Sequence, residues 1–236
     1  MDTILFDLDG TLLPLDMDEF ILKYFKKLCN KFADIFEPDM LQEAIWSSTN
    51  YMISNIEKEK TNMDCFFEDF QKKVDRSLDE LFPIFDEFYQ KDFVDLEHIV
   101  NPNPIVKEII QMLKDKGYNL VIATNPLFPK EAIYHRTQWA GLEASDFGLI
   151  TTYENMHFCK PNIQYYEEIL EKTNRTSDKV MMVGNDMQED MVSSLIGIKT
   201  FLVEDCLIDR ETPSYKVDYK GSMQDFYDFV KKLPRL

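Results

Sequence analysis

The chain has 236 residues, of which 44% are hydrophobic and 29% are charged, so it can form one large domain or a domain with a smaller one inserted. Its formal net charge of −17 repels phosphate backbones and anionic lipid, which disfavours a nucleic-acid partner or a membrane surface. No apolar run approaches the roughly 20 residues needed to cross a bilayer, and we expect no membrane-spanning segment.

The N-terminus and the cysteines predict a cytoplasmic protein. The first residues, MDTILFDLDG, are acidic where a secretory signal would carry a basic region followed by an apolar stretch. The four cysteines lie far apart without a C-x-x-C pair, as is typical of free thiols in a reducing compartment. The three histidines form no metal-ligand spacing, so any bound metal should be a hard cation held by oxygen ligands.

The first predicted element is a buried strand. Thr3 to Leu8 is a short apolar run interrupted by Asp7 and ended by Gly10, which indicates a parallel strand leading into a turn. The next roughly 85 residues contain no convincing strand, and apolar side chains such as Tyr24 and Leu28 recur there at helical spacing. We therefore predict an all-helical cap domain at 15–100, inserted into a core formed by 1–14 and 101–236.

After Pro104 the chain alternates between helix-like stretches and short apolar runs. Strands that alternate with helices favour a parallel sheet with helices on both faces, because right-handed crossovers place the helices there. The sequence thus predicts a doubly wound α/β domain. Its later strands are expected in the runs Tyr118 to Thr124, Phe147 to Thr151, Lys179 to Val183 and Thr200 to Val203.

Two carboxylates follow the first strand directly. Asp7 and Asp9 can converge beyond the carboxyl edge of the sheet, where open α/β folds bind ligands. Crowded carboxylates repel each other, and a bound cation would keep both ionised. One could then attack phosphorus while the other transfers a proton. Taken alone, the D-x-D-G sequence suits an ordinary solvated turn equally well.

Polar residues at three further strand ends favour the catalytic interpretation. Thr124, followed by Asn125, offers a hydroxyl and a backbone N–H that can hold a phosphoryl oxygen. Lys160 supplies a positive charge against a transferring phosphoryl group. Asp186 and Asp190 are four residues apart in an acidic turn running into a helix, where they would face the same way.

In these four segments the sequence resembles the haloacid dehalogenase superfamily. The matching residues are DLDGT at Asp7 to Thr11, Thr124, Lys160 and the acidic stretch Gly184 to Asp190. The resemblance implies a Rossmann-like core, a helical cap, Mg²⁺ dependence and an aspartyl-phosphate intermediate. It also implies that Asp7 is the nucleophile and Asp9 the general acid and then base, because the phosphatase and phosphomutase branches carry this second aspartate.

The resemblance also implies the ligands of phosphate and metal. Thr124, Asn125 and Lys160 would bind the phosphoryl group, and Asp7 and the backbone carbonyl of Asp9 would bind Mg²⁺. The fourth motif leaves two candidates for the remaining metal ligand, Asn185 and Asp186. We favour Asp186 because an anionic oxygen binds magnesium better than an amide; Asn185 and Asp190 would then orient the ligands or Lys160.

The sequence therefore predicts a Mg²⁺-dependent phosphatase that hydrolyses a small phosphorylated metabolite and acts as a monomer or weak homodimer. A phosphomutase of the same superfamily is one alternative, because it uses the same core residues. A receiver-like or catalytically silent phosphate-binding protein is another. Neither the substrate nor the residues that select it can be read from helical periodicity in the cap.

Overall fold

The computed structural model describes residues 1–236 and contains one parallel sheet of six strands in the order β3-β2-β1-β4-β5-β6. All neighbouring strands run parallel. The strands are β1 (Thr3–Phe6), β2 (Asn119–Ile122), β3 (Leu149–Ile150), β4 (Val180–Gly184), β5 (Lys199–Val203) and β6 (Tyr219–Gly221). The helices are α1 (Met17–Lys31), α2 (Pro38–Ser54), α3 (Asn62–Phe70), α4 (Leu78–Glu87), α5 (Pro104–Asp115), α6 (Lys130–Trp139), α7 (Ile163–Thr173) and α8 (Met223–Lys232).

The predicted fold class is confirmed, with helices connecting a parallel sheet. Each of the five apolar runs coincides with a strand. The first three strands are shorter than their runs, and β4 and β5 each extend one residue beyond theirs. The sixth strand, β6, was not predicted. It has three residues at the sheet edge, and Tyr219 and Lys220 are exposed, so no apolar run marks it.

The register of the three central strands determines where the site lies. Phe6, the last residue of β1, pairs with Ile122 at the end of β2 and with Val183 near the end of β4. Because the strands are parallel and end at the same level, the segments that follow them meet at one edge of the sheet. Asp7 and Thr124 follow two of these strands, and Asn185 follows the third.

The chain between β1 and α5 contains helices joined by loops and no strand. After α1 to α4 come a π-helical turn (Phe88–Asp92) and a 3₁₀-helix (Phe93–Ile99). Side chains close three of these helix N-termini. Asp16 accepts from Glu19 N in α1, Ser77 accepts from Glu80 N in α4, and Thr61 and Asp64 form a reciprocal capping box in α3. The division into a cap at 15–100 and a core stays a prediction.

Hydrophobic side chains cover both faces of the sheet. The larger cluster has 44 buried residues and includes Ile4 and Phe6 of β1 together with Phe20 and Phe93 of the helical segment. The smaller cluster, of 12 residues, contains Leu5 and lies on the other face, as the alternation of side chains along a strand requires. No helix is long and apolar enough to cross a membrane.

Candidate active site

Asp7 lies at the end of β1 with both carboxylate oxygens in contact with donors. Lys160 Nζ donates to Asp7 Oδ1 at 2.9 Å, and the Thr11 hydroxyl lies 3.3 Å from Oδ2. Gly10 has a φ of +83°, and a Cβ at this position would lie 2.4 Å from the Asn185 side-chain nitrogen. The turn that carries Asp7 and Asp9 therefore requires glycine both for its backbone conformation and for the close approach of Asn185.

Lys160 is 1% exposed and lies between two carboxylates. Besides Asp7 it contacts Asp190 Oδ1 at 2.6 Å. Burial alone would lower the pKa of Lys160, but the negative charges of Asp190 and Asp7 raise it well above its ordinary value. Burial raises the pKa of Asp190, and Lys160 opposes that shift. Lys160 thus provides a fixed positive charge directly beside Asp7.

Thr124 and Asn125 connect the end of β2 to the rest of the site. The Thr124 carbonyl accepts hydrogen bonds from the hydroxyls of Thr151 and Tyr165, each at 2.8 Å. Asn125 Oδ1 accepts from Lys160 N at 3.2 Å, and its amide donates to Glu189 at 3.0 Å. Asn125 therefore ties the backbone of Lys160 to the acidic turn after β4.

The prediction that Asp186 and Asp190 lie on one helix is wrong. Residues 187–190 form a turn, and only a short 3₁₀-helix, Met191–Ile196, follows. The two aspartates are nevertheless close, because Asp186 N donates to Asp190 Oδ2 at 2.9 Å. A Cβ on Gly184 would lie 2.1 Å from that same oxygen, so the folded-back carboxylate occupies the space that a side chain would need.

The two candidate metal ligands of the fourth motif have different environments. Asn185 Oδ1 accepts from the Thr11 hydroxyl at 2.9 Å, and its amide donates to the Cys206 carbonyl at 2.6 Å. Asp186 instead contacts Arg210, whose Nη1 lies 2.8 Å and 2.9 Å from its two oxygens. The Arg210 side chain is 51% exposed, so its guanidinium contacts Asp186 at the surface of the site.

This set of donors fits a hard cation. The available groups are carboxylate, amide and carbonyl oxygens, which Mg²⁺ prefers. At Asp186 the metal would replace the Arg210 guanidinium, which contacts both carboxylate oxygens. No three side chains of the His, Cys, Asp and Glu types form a preassembled metal cluster. A site made from Asp7, Asp186 and the Asp9 carbonyl needs only two carboxylates.

The sequence interpretation missed Arg136. This α6 residue is 2% exposed and forms an ion pair with Asp9 Oδ2. Its guanidinium lies 4.5 Å from the centre of the Phe128 ring, and Nη2 is buried without a partner, as is Asp9 Oδ1. One signal was available: Arg136 follows the buried Ala132 by four residues, so a charge lies on the buried face of a helix.

These residues surround one cavity of about 360 Å³ between the sheet edge and helices α1 and α2. Lys160 lies outside the lining, buried behind Asp7. The structure therefore brings every predicted site residue to one place. The polar lining is Asp7, Asp9, Thr124, Asn125, Arg136, Asn185, Asp186, Glu189, Asp190 and Arg210, and the apolar lining is Met17, Ile21, Trp46, Leu127, Phe128 and Ile208.

Comparison with known proteins identifies the family. Residues 4–203 match the family model described as haloacid dehalogenase-like hydrolase. The chain belongs to this family. The expectation of a hydrolase of this superfamily is confirmed, and a receiver domain is excluded because the match spans most of the chain.

Individual relatives resemble the chain over nearly its whole length. The pyrophosphatase PpaX of Bacillus mycoides is 24% identical over 240 residues, 99% of this chain and 98% of that protein. A phosphatase of the superfamily from Thermococcus onnurineus superposes with a TM-score of 0.61 at 20% identity, covering 100% of both chains. The L-2-haloacid dehalogenase of Xanthobacter autotrophicus superposes with a TM-score of 0.59 at 11% identity, covering 99% of both. The fold is shared by both reaction types, so the side chains must distinguish them.

Proposed function

We propose that this hydrolase is a Mg²⁺-dependent phosphatase that hydrolyses a small phosphate monoester through an aspartyl-phosphate on Asp7. The observation that carries the proposal is the position of Asp7. Its side chain lines the cavity, and Lys160 Nζ donates to its Oδ1 at 2.9 Å from behind. The presence of Asp9 two residues later supports phosphate chemistry. The name of the relative PpaX, a pyrophosphatase, supports phosphoryl transfer as well.

The first step forms a bond between Asp7 and phosphorus and breaks the bond from phosphorus to the ester oxygen. Lys160 donates a hydrogen bond to Asp7 Oδ1. The other oxygen, Oδ2, has only a long contact of 3.3 Å with the Thr11 hydroxyl, and it attacks phosphorus. Asp9 donates its proton to the departing alcohol oxygen. Its Oδ1 is free for that transfer, because it has no hydrogen-bond partner.

The second step removes phosphate from Asp7. Asp9, now ionised, accepts a proton from a water molecule, whose oxygen bonds to phosphorus while the bond to Asp7 breaks. Thr124 and Asn125, which line the cavity, hold the phosphoryl oxygens during both steps. Lys160 lies behind Asp7 and adds its positive charge from that position. Mg²⁺, held by Asp7, Asp186 and the Asp9 carbonyl, would supply the remaining positive charge that phosphoryl transfer requires.

The surroundings of the site favour a small substrate. A cavity of about 360 Å³ is within the range of small-molecule sites, and Met17, Ile21 and Trp46 of α1 and α2 form part of its wall. The net charge of −17 disfavours a polynucleotide. We further propose a cytoplasmic monomer or weak homodimer. A phosphomutase would use the same side chains and would differ by requiring a bisphosphate activator.

The test is release of phosphate from a panel of phosphorylated metabolites, with and without Mg²⁺, by the wild type and Asp7→Asn. We expect Mg²⁺-dependent release by the wild type and a loss of about a thousandfold or more in Asp7→Asn, because the amide is not a nucleophile. The exposed Asp79→Asn is the matched control and should behave as the wild type. Undiminished turnover in folded Asp7→Asn, or no release from any phosphate by folded wild type, would contradict the proposal.

A further inference from the structure

A second cavity of about 100 Å³ lies beside the catalytic one and is almost entirely apolar. Twelve of its 13 lining residues are hydrophobic, and the remaining one is Thr49. Most of the lining comes from the proposed cap, and Leu127, Phe128 and Tyr153 come from the core. The complete lining is Ile21, Tyr24, Phe25, Ile45, Trp46, Thr49, Phe66, Phe67, Phe85, Tyr89, Leu127, Phe128 and Tyr153.

The apolar cavity and the catalytic cavity share part of their walls. Ile21 of α1, Trp46 of α2, and Leu127 and Phe128 after β2 line both. Trp46 is 42% exposed, so the shared wall includes a side chain that is not fixed by close packing on all sides. A molecule bound at Asp7 therefore has an apolar compartment directly adjacent to it.

The charges around the two cavities disfavour a second anionic group on the substrate. The apolar cavity is lined by no charged residue. The two arginines of the catalytic cavity are already paired, Arg136 with Asp9 and Arg210 with Asp186. The hydroxyls of Tyr24 and Tyr89 are hydrogen-bonded to each other at 2.8 Å. A second anionic group that entered the apolar cavity would lie against uncharged walls, which is unfavourable.

We infer that the apolar cavity binds the leaving group, so that the substrate is a phosphate monoester of an apolar alcohol, either branched alkyl or aromatic. This inference rests on the proposed phosphatase function and specifies its substrate class. Apolar cavities of about 150 Å³ accept a benzene ring. The 100 Å³ present here suits a branched alkyl group, and an aromatic ring would require Trp46, which is 42% exposed, to move.

The experiment compares benzyl phosphate with glycerol 3-phosphate, because both release a primary alcohol but only the first has an apolar leaving group. The quantity measured is the ratio of the two kcat/KM values. We expect the wild type to favour benzyl phosphate by about tenfold or more. Thr49→Phe, which fills the cavity, should reduce this ratio by about tenfold. Asn50→Phe, which adds the same ring at an exposed position of α2 outside both cavities, is the matched control and should retain it.

Two outcomes would overturn the inference. One is a wild-type ratio near unity. The other is a ratio that does not change in Thr49→Phe when circular dichroism shows that this variant is folded. Either result would mean that the cavity is only a packing gap within the cap. If Thr49→Phe does not fold, Ile45→Phe fills the same cavity from the next turn of α2.

Binding separates failure of this inference from failure of the proposed function. Titration of Asp7→Asn with each phosphate ester, measured by calorimetry, requires no turnover. Tighter binding of benzyl phosphate that Thr49→Phe abolishes supports the subsite even if neither ester is hydrolysed. Equal binding of the two esters contradicts the subsite, even if the wild type releases phosphate from both in an Asp7-dependent reaction.

Discussion

Asp9 experiences opposing influences on its pKa. Burial raises the pKa of this carboxyl, the Arg136 guanidinium lowers it, and the Asp7 charge adds to the rise; the net shift is upward. A raised pKa suits the proposed role of Asp9, since the first step requires its protonated form. Arg136 also restrains the carboxylate through Oδ2, while Oδ1 stays without a partner. The ion pair thus affects both the acidity and the orientation of Asp9.

This pairing predicts a shift in the pH profile of kcat/KM. Because the Arg136 charge favours ionised Asp9, Arg136→Met should raise the pKa of Asp9 further and move the alkaline limb of the profile to higher pH, by about one unit or more. Arg136→Lys retains a positive charge and should leave the limb nearer its wild-type position. Profiles of the three proteins with one substrate provide the test, and an alkaline limb unmoved by Arg136→Met would contradict it.

At the scale of elements, the turn after β4 determines which side chain of the fourth motif can reach a metal. Within two residues it directs Asn185 toward Thr11 and Asp186 toward Arg210. Asp186 Oδ1 also accepts backbone hydrogen bonds from Gln188 and Glu189, each at 2.9 Å, which fixes the carboxylate at the start of the turn. Both side chains are therefore rigidly placed, and only one of them carries a negative charge.

The proposed metal ligand can be tested by titration with Mg²⁺. Asp186→Asn should raise the Mg²⁺ concentration for half-maximal activity by about tenfold or more, because an amide oxygen binds this cation less well than a carboxylate. It should also reduce the increase in Tm that Mg²⁺ produces. Asn185→Ala is the comparison and should have the smaller effect on both quantities. The reverse order would place the metal at Asn185.

At the scale of the whole molecule, the proposed cap and core share one hydrophobic cluster of 44 buried residues. Aromatic contacts cross between them: the Phe93 ring stacks on Trp139 with centroids 5.4 Å apart, and Phe20 packs edge-on against Phe128 at 6.3 Å. A shared cluster makes the stability of each part depend on the other. We therefore expect the cap and core to unfold together.

The two tryptophans allow this expectation to be measured, because Trp46 lies in α2 and Trp139 in α6. In Trp139→Phe, fluorescence reports on the helical segment alone, and in Trp46→Phe it reports on α6 beside the sheet. For each variant, the transition seen by its remaining tryptophan should coincide with the one seen by far-ultraviolet circular dichroism. Fluorescence and circular dichroism midpoints that separate within one variant would show independent unfolding.

The sequence by itself determined the parallel sheet and the clustering of the principal site residues. Its short apolar runs alternate with helical segments, and parallel strands place their carboxyl ends at one edge. Asp7 and Thr124 therefore lie at the same edge. Lys160 and Asp190 lie beside Asp7, as the order of the four motifs along the chain predicted. Local periodicity was sufficient for Asp7, Thr124 and Asn185, because β1, β2 and β4 are largely buried and these residues follow them within two positions.

Only the tertiary structure decided the ion pairs and the apolar cavity. Arg136 and Asp9 are separated by 127 positions, and Arg210 and Asp186 by 24, so no local pattern connects them. The turn at Asp186 could not be distinguished from a helix, because a four-residue spacing is compatible with both. The apolar cavity exists only where α1 and α2 pack against the loop after β2, since packing, rather than periodicity, determines which aromatic faces remain uncovered.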